Sequence, residues 1–167
     1  YNEVLAFQVI LETGDDTVKG VELVVDAPIH KASLKSIGNS TMKYGPAGTI
    51  EIFSQHYLNV KDSGFTHPNW FYGSAASSPK EMSGWIPDAL IPSDALPGRG
   101  GFPINISPSQ NQGFWVDVSL PRDRNEYKAG VYVGKVKVVQ EGELKYAIPL
   151  EITLLPNYLP DENKTNI

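Results

Sequence analysis

Apolar and polar side chains alternate at a spacing of two residues through much of this chain, most densely from Asn111 to Gln140, NQGFWVDVSLPRDRNEYKAGVYVGKVKVVQ. Phe114, Val116, Val118 and Leu120 fall on one face of an extended segment and Trp115, Asp117 and Ser119 on the other, which is the signature of a half-buried strand. Pro121 and the polar run Arg122 to Asn125 break the ladder and carry the chain around, and Ala129-Gly130 re-enters a sheet. The next strand places Tyr132, Val136 and Val138 on one face, where Gly134 leaves a gap, and Lys135 and Lys137 on the wetter face. The unit predicts one sandwich strand, a crossing loop and a second strand.

The same period recurs on both sides. A Glu141-Gly142-Glu143 turn leads into Tyr146 to Leu155, with Ile148, Leu150, Ile152 and Leu154 inward, so a hairpin closes the C-terminal sheet, and Pro149 places that strand at an edge or a bulge. Near the start, Leu5, Phe7, Val9 and Leu11 share a face; Thr13-Gly14-Asp15-Asp16 is a turn, and Val21, Leu23 and Val25 are expected to pair back as a first hairpin. Residues 27–48 read as loop, and Thr49 to Val60 as a strand rich in β-branched and aromatic residues. Tyr132, two residues before Gly134, stands where immunoglobulin-like sandwiches carry a tyrosine corner, with Gly134 at the position that is cysteine in antibody domains. The expectation is an all-β, immunoglobulin-like antiparallel β-sandwich with a long irregular loop region at about 61–112, a stretch without period and dense in Pro, Gly and Ser.

Composition narrows the function classes. At 167 residues a single sandwich domain over 1–157 is expected, followed by a linker at 158–167 whose Leu155-Pro-Asn-Tyr-Leu-Pro exit leads toward a further, C-terminal domain. The chain opens on Tyr1-Asn2-Glu3, as a trimmed fragment would. There is no cysteine, which excludes thiolate catalysis and Cys-based metal sites. The net charge is −5 and no basic tract occurs, so nucleic acid is a poor partner, and no apolar run reaches the roughly 20 residues of a spanning helix.

Little in the sequence carries chemistry of its own. His30, His56 and His67 lack the spacing of a zinc site, and no Gly-x-Ser-x-Gly occurs. Gly98-Arg-Gly-Gly101 lacks the Lys-Ser/Thr of a phosphate loop, and Asp15-Asp16 reads as a turn rather than a calcium loop. No catalytic residue, metal or cofactor is expected. Aromatic residues do concentrate between Phe53 and Trp85. Trp70, Tyr72 and Trp85 are candidates for stacking on the rings of a polysaccharide, set against a packing role for the same side chains.

Four stretches, Asn2-Glu-Val-Leu-Ala-Phe-Gln-Val-Ile, Trp85-Ile-Pro-Asp-Ala-Leu-Ile-Pro92, Asn111-Gln-Gly-Phe-Trp-Val-Asp-Val-Ser-Leu-Pro121 and Ala129-Gly-Val-Tyr-Val-Gly134, run in the order found in one family. The chain resembles the N-terminal β-sandwich domain of glycoside hydrolase family 123 and related bacterial proteins of unassigned function. That resemblance implies a non-catalytic accessory domain preceding a (β/α)8 barrel, which holds the catalytic Asp-Glu pair and, in the founding activity, acts on β-linked N-acetylgalactosamine. No residue here matches that pair. The resemblance further implies that Trp85, Pro87, Asp88 and Pro92 lie on a loop abutting the barrel, that Leu159-Pro160 begins the linker, and that the parent protein is secreted, periplasmic or on the cell surface. The alternatives are an independent carbohydrate-binding module and a surface structural or adhesion module.

Overall fold

The computed structural model describes residues 1–37, 49–61 and 84–159. Among these, nine strands form two antiparallel sheets: β1 (Val4–Glu12), β2 (Val18–Val25), β3 (Ile29–His30), β4 (Ile50–Val60), β5 (Gly84–Pro92), β6 (Ile104–Ile106), β7 (Asn111–Ser119), β8 (Gly130–Gln140) and β9 (Glu143–Leu154). The first sheet has the order β1-β7-β4-β5. In the second, β8 pairs along its length with β9 on one edge, while β2 and then β3 share the other edge, and β6 adds to β2. The inward faces follow the sequence pattern: Phe114, Val116 and Val118 of β7 with Ile50 and Ile52 of β4 meet Val21, Leu23 and Val25 of β2, Tyr132, Val136 and Val138 of β8, and Ile152 and Leu154 of β9, all buried. The fold is an antiparallel β-sandwich.

The 111–140 unit behaves as its pattern predicts, since β7 and β8 lie in different sheets joined by a crossing loop. Asp123 shapes that loop by accepting the backbone N–H groups of Asn125 (2.7 Å) and Glu126 (3.1 Å) on its carboxylate. These bonds hold its carboxyl below the usual aspartate range. Tyr132 is fully buried and its hydroxyl donates to the Lys128 carbonyl at 2.8 Å, closing a tyrosine corner over the entry to β8. Gly134 fills the role of a gap, because a Cβ there would meet Asp26 O at 2.8 Å and Pro28 Cα at 3.2 Å. The β8–β9 hairpin turns on Glu141 (φ 50°) and Gly142 (φ 82°), the paired positive φ of a mirror-image turn that suits the twist of the strands it joins.

Three expectations need correction. β1 and β2 do not form a hairpin: β1 pairs with β7 over its whole length and β2 lies in the opposite sheet. The turn residues between them bond sideways instead. Thr13 N donates to Gln110 O (3.1 Å), the Thr13 hydroxyl donates to Ser107 O (2.7 Å), and Ser109 N donates to Gly14 O (2.7 Å), so the segment arches between sheets. The region from 61 to 112 is not irregular throughout, since β5 pairs with β4 and β6 with β2. Trp85, Pro87, Asp88 and Pro92 therefore sit on an edge strand and not on a loop; two prolines are tolerated there because, among the described residues, the outer side of β5 has no ladder to complete.

The two margins of the sandwich differ. Beside β5 and β6, residues 93–103 close the gap: Ser93 N donates to Ile52 O (2.8 Å), the Ser54 hydroxyl donates to Gly100 O (2.5 Å), and Phe102 packs edge-on against Phe114 at 5.7 Å. Beside β1 and β9 the margin is open. Tyr146 and Ile148 pair with the core residues Val138 and Val136 and so point inward, yet they are 67% and 45% exposed because, among the described residues, no strand of the first sheet covers them. A groove lined by Leu5, Leu120, Ile152, Leu155 and Leu159, with Glu3 and Glu151 also at its wall, continues this margin. There the two ends are strapped together: the Tyr1 ammonium donates to Asn157 O (2.8 Å), Asn2 Nδ2 to Leu159 O (2.9 Å), and Leu159 N to Tyr1 O (3.2 Å).

Candidate functional site

The outer face of the β1-β7-β4-β5 sheet carries the residues that alternate against the core. In register across it stand Gln8 and Ile10 of β1, Gly113 and Trp115 of β7, Phe53, Gln55 and Tyr57 of β4, and Trp85 and Pro87 of β5. β4 and β7 pair only as far as Ser54 and Phe114, and β4 then runs on beside β5 alone. Where the two strands part, a cleft of about 630 Å³ opens, bounded by Gln8, Gln55, Tyr57, Trp85 and Pro87 on the sheet and by residues 109–112 at its end.

The cleft is organised by amides. Gln8 Nε2 donates to Gln55 Oε1 (2.8 Å), and Gln112 Nε2 donates to the carbonyls of Gln55 (2.8 Å) and Gly113 (2.9 Å). The Tyr57 hydroxyl accepts from Gly113 N (2.9 Å), replacing the strand partner that β4 no longer supplies. Gly113 is required for this arrangement, since a Cβ would lie 1.9 Å from Gln55 Oε1 and 3.1 Å from the Tyr57 hydroxyl. Each glutamine thus has one amide end held by the protein, and all three line the cleft. Among the described residues no Asp, Glu, Lys or Arg lines the cleft; its titratable groups there are His56 and Tyr57.

Charge lies elsewhere on the same face. Glu51 and Asp117 are directly opposed across β4 and β7, and Trp115 Nε1 donates to Asp117 Oδ1 at 2.8 Å. Burial, and then the neighbouring Asp117 carboxylate, push the Glu51 carboxyl above the usual glutamate range. Neither acid borders the cleft.

Of the residues singled out from sequence, Trp85 and Pro87 are brought into the cleft, with Trp85 61% exposed. Asp88 is the extra residue of a β-bulge, since Tyr57 faces Pro87 while His56 faces Ala89, and Pro92 lies at the far end of β5 opposite Phe53. Trp70, Tyr72 and His67 lie outside the described residues. His30 is a buried structural histidine: it lies 4.8 Å from the Tyr132 ring, and its Nδ1 accepts from Ser33 N at 2.9 Å. No group of three or more potential metal-ligating side chains occurs among the described residues, and no helix there is long and apolar enough to cross a membrane. Sequence reasoning missed Gln8, Gln55 and Gln112; the available signal was a glutamine at an outward position of β1 and of β4, whereas Gln112 has the parity of the buried Phe114 and gave no such signal.

The fold and this face define an antiparallel β-sandwich with a cleft of aromatic and amide side chains on one sheet. Among solved structures it is similar to part of a family 123 glycoside hydrolase from Clostridium perfringens, a protein described in connection with glycolipid glycan hydrolysis, with a TM-score of 0.64 at 18% identity. The match covers 95% of this chain and 22% of that one. The resemblance expected from the sequence is therefore borne out in fold. No protein-family model and no curated protein matches the sequence.

Proposed function

We propose that this chain is a non-catalytic accessory sandwich that precedes and supports a glycoside-hydrolase-type (β/α)8 barrel in a larger protein. The observation that carries the reading is the coverage: nearly the whole chain corresponds to about a fifth of a glycoside hydrolase, as one domain of a multidomain enzyme does. The open margin supports it. Tyr146 and Ile148 of β9, with the groove at Leu5, Leu155 and Leu159, form an exposed apolar strip beside the point where the chain runs on past residue 159. On this reading the barrel packs against the β1/β9 margin. The outer-face residues Trp85 and Pro87, expected from sequence to contact the barrel, stay free.

The test is to read the coding region past Ile167 and express the longer protein. A frame of roughly 250 further residues in alternating strands and helices is expected. Hydrogen exchange in β9 should then be slower in the long protein than in the 167-residue chain. A stop codon soon after Ile167, or β9 exchange unchanged by the added sequence, overturns the proposal.

A further inference from the structure

We infer that the cleft on the outer face of the β1-β7-β4-β5 sheet is a binding site for an uncharged glycan. This does not rest on the accessory reading, because every group it uses belongs to this chain and lies away from the β1/β9 margin. The volume of about 630 Å³ falls in the range of small-ligand sites and suits a short oligosaccharide. Among the described residues no Asp, Glu, Lys or Arg borders it, so none of them would neutralise a phosphate, sulfate, carboxylate or ammonium group, which favours a neutral occupant. The same residues argue against an apolar peptide or a protein surface, which would bury the free ends of Gln8, Gln55 and Gln112 without partners.

A pyranose has what the cleft lacks. Its C–H face is flat and apolar and packs on an aromatic ring, while its rim of hydroxyls both donates and accepts. Trp85 supplies an exposed indole, and Tyr57 lies two residues away along the paired strand, with Asn59 opposite Trp85 and Tyr57 opposite Pro87. Gln8 and Gln55 hold each other through one amide end, which leaves the Gln55 Nε2 donor and the Gln8 Oε1 acceptor for sugar hydroxyls. Gln112 is fixed by two backbone carbonyls and offers its Oε1. These side chains are held before any ligand arrives, so little ordering is lost on binding.

The experiment is a glycan array probed with the fluorescently labelled 167-residue chain, carrying neutral oligosaccharides beside their sialylated and sulfated counterparts. Binding confined to neutral glycans is expected, with Trp85→Ala and Gln55→Ala each weakening the best of them roughly tenfold or more. NMR of the unaltered chain with that oligosaccharide should shift the Trp85 indole N–H and the side-chain amides of Gln8 and Gln55. No binding at all, binding confined to acidic glycans, binding indifferent to both substitutions, or shifts confined to other residues overturns the inference.

Discussion

Replacing Tyr132 by Phe isolates the tyrosine corner, because the ring and its packing stay and one hydroxyl goes. The hydroxyl donates to Lys128 O at 2.8 Å from a fully buried side chain. A buried acceptor left without a partner costs about 1–3 kcal/mol, whereas a net hydrogen bond is worth about 0.5–1.5 kcal/mol. Lys128 is itself exposed, so water can reach its carbonyl once the hydroxyl is gone, and the smaller figure applies. The expected loss is about 1 kcal/mol, read as a lower urea midpoint at unchanged m, or as a fall in Tm of roughly 2–4 °C for a chain of this size. The pH dependence supplies a second check. Burial first, and then the nearby Tyr1 and Tyr127, push the Tyr132 phenol above the ordinary tyrosine range. Its contribution is therefore complete below a pH of about 10, where the unfolded phenol begins to ionise, and is lost as pH rises through the folded value. The phenylalanine variant has no such group, so the gap between the two proteins should narrow above pH about 10. A loss at neutral pH of about 3 kcal/mol or more, in the range of a deleted core side chain, would mean that the hydroxyl also sets the ring packing against His30, and the hydrogen-bond reasoning would be refuted.

Gly134→Ala drives a Cβ to 2.8 Å from Asp26 O, a backbone atom that cannot swing aside, and should destabilise by about 1–3 kcal/mol; an unchanged urea midpoint would contradict this. Glu51→Gln removes one of two like charges opposed across β4 and β7 and should stabilise by about 0.2–1 kcal/mol at neutral pH. Since the folded Glu51 carboxyl is raised, the parent's deficit is absent below the ordinary glutamate value and appears as pH rises through the folded one; the gain should vanish below a pH of about 4, and a gain constant with pH sinks the idea. Gly113→Ala places a methyl 1.9 Å from Gln55 Oε1, and that side-chain tip can move, so stability should change by no more than about 1.5 kcal/mol while the Gln8–Gln55 bond breaks. NMR shifts of both side-chain amides would show it, and unmoved amides would refute it.

The strands β4, β7, β8 and β9 were legible because each buries one face, and a two-residue period reports burial directly. Alternation fixes which face a side chain takes but not which strand lies beside it, and so β1 and β2 invited a hairpin that the sideways bonds of Thr13 and Gly14 replace with an arch. β5 escaped the pattern for a different reason. It is an edge strand with prolines at 87 and 92, a bulge at Asp88, and Trp85 and Leu90 facing solvent, so burial leaves little period along it. Of the cleft, Trp85 was singled out as one of the aromatics clustered in a stretch without period, with stacking and packing both open. The glutamines were not, because Gln8 and Gln55 on outward positions, and Gln112 at the end of the inward row of β7, are ordinary until topology sets β1, β7 and β4 side by side and brings them together.

The open margin constrains how a neighbouring domain can meet this one. An uncovered edge strand of twelve residues ordinarily invites another strand to pair with it. In β9 that route is obstructed, since Pro149 removes a donor and Lys145 is an extra residue where Val138 faces Tyr146 and Val139 faces Leu144. What remains available is side-chain packing on Tyr146 and Ile148, which point inward from β9 and are not covered by a described strand of the first sheet, and on Leu5 at the groove it shares with Ile152. A rigid helix or loop of an adjoining domain can cover such a strip without adding to the sheet. The outer face of the other sheet, where Gln8 and Gln55 hold each other and backbone carbonyls hold Gln112, takes no part in that strip.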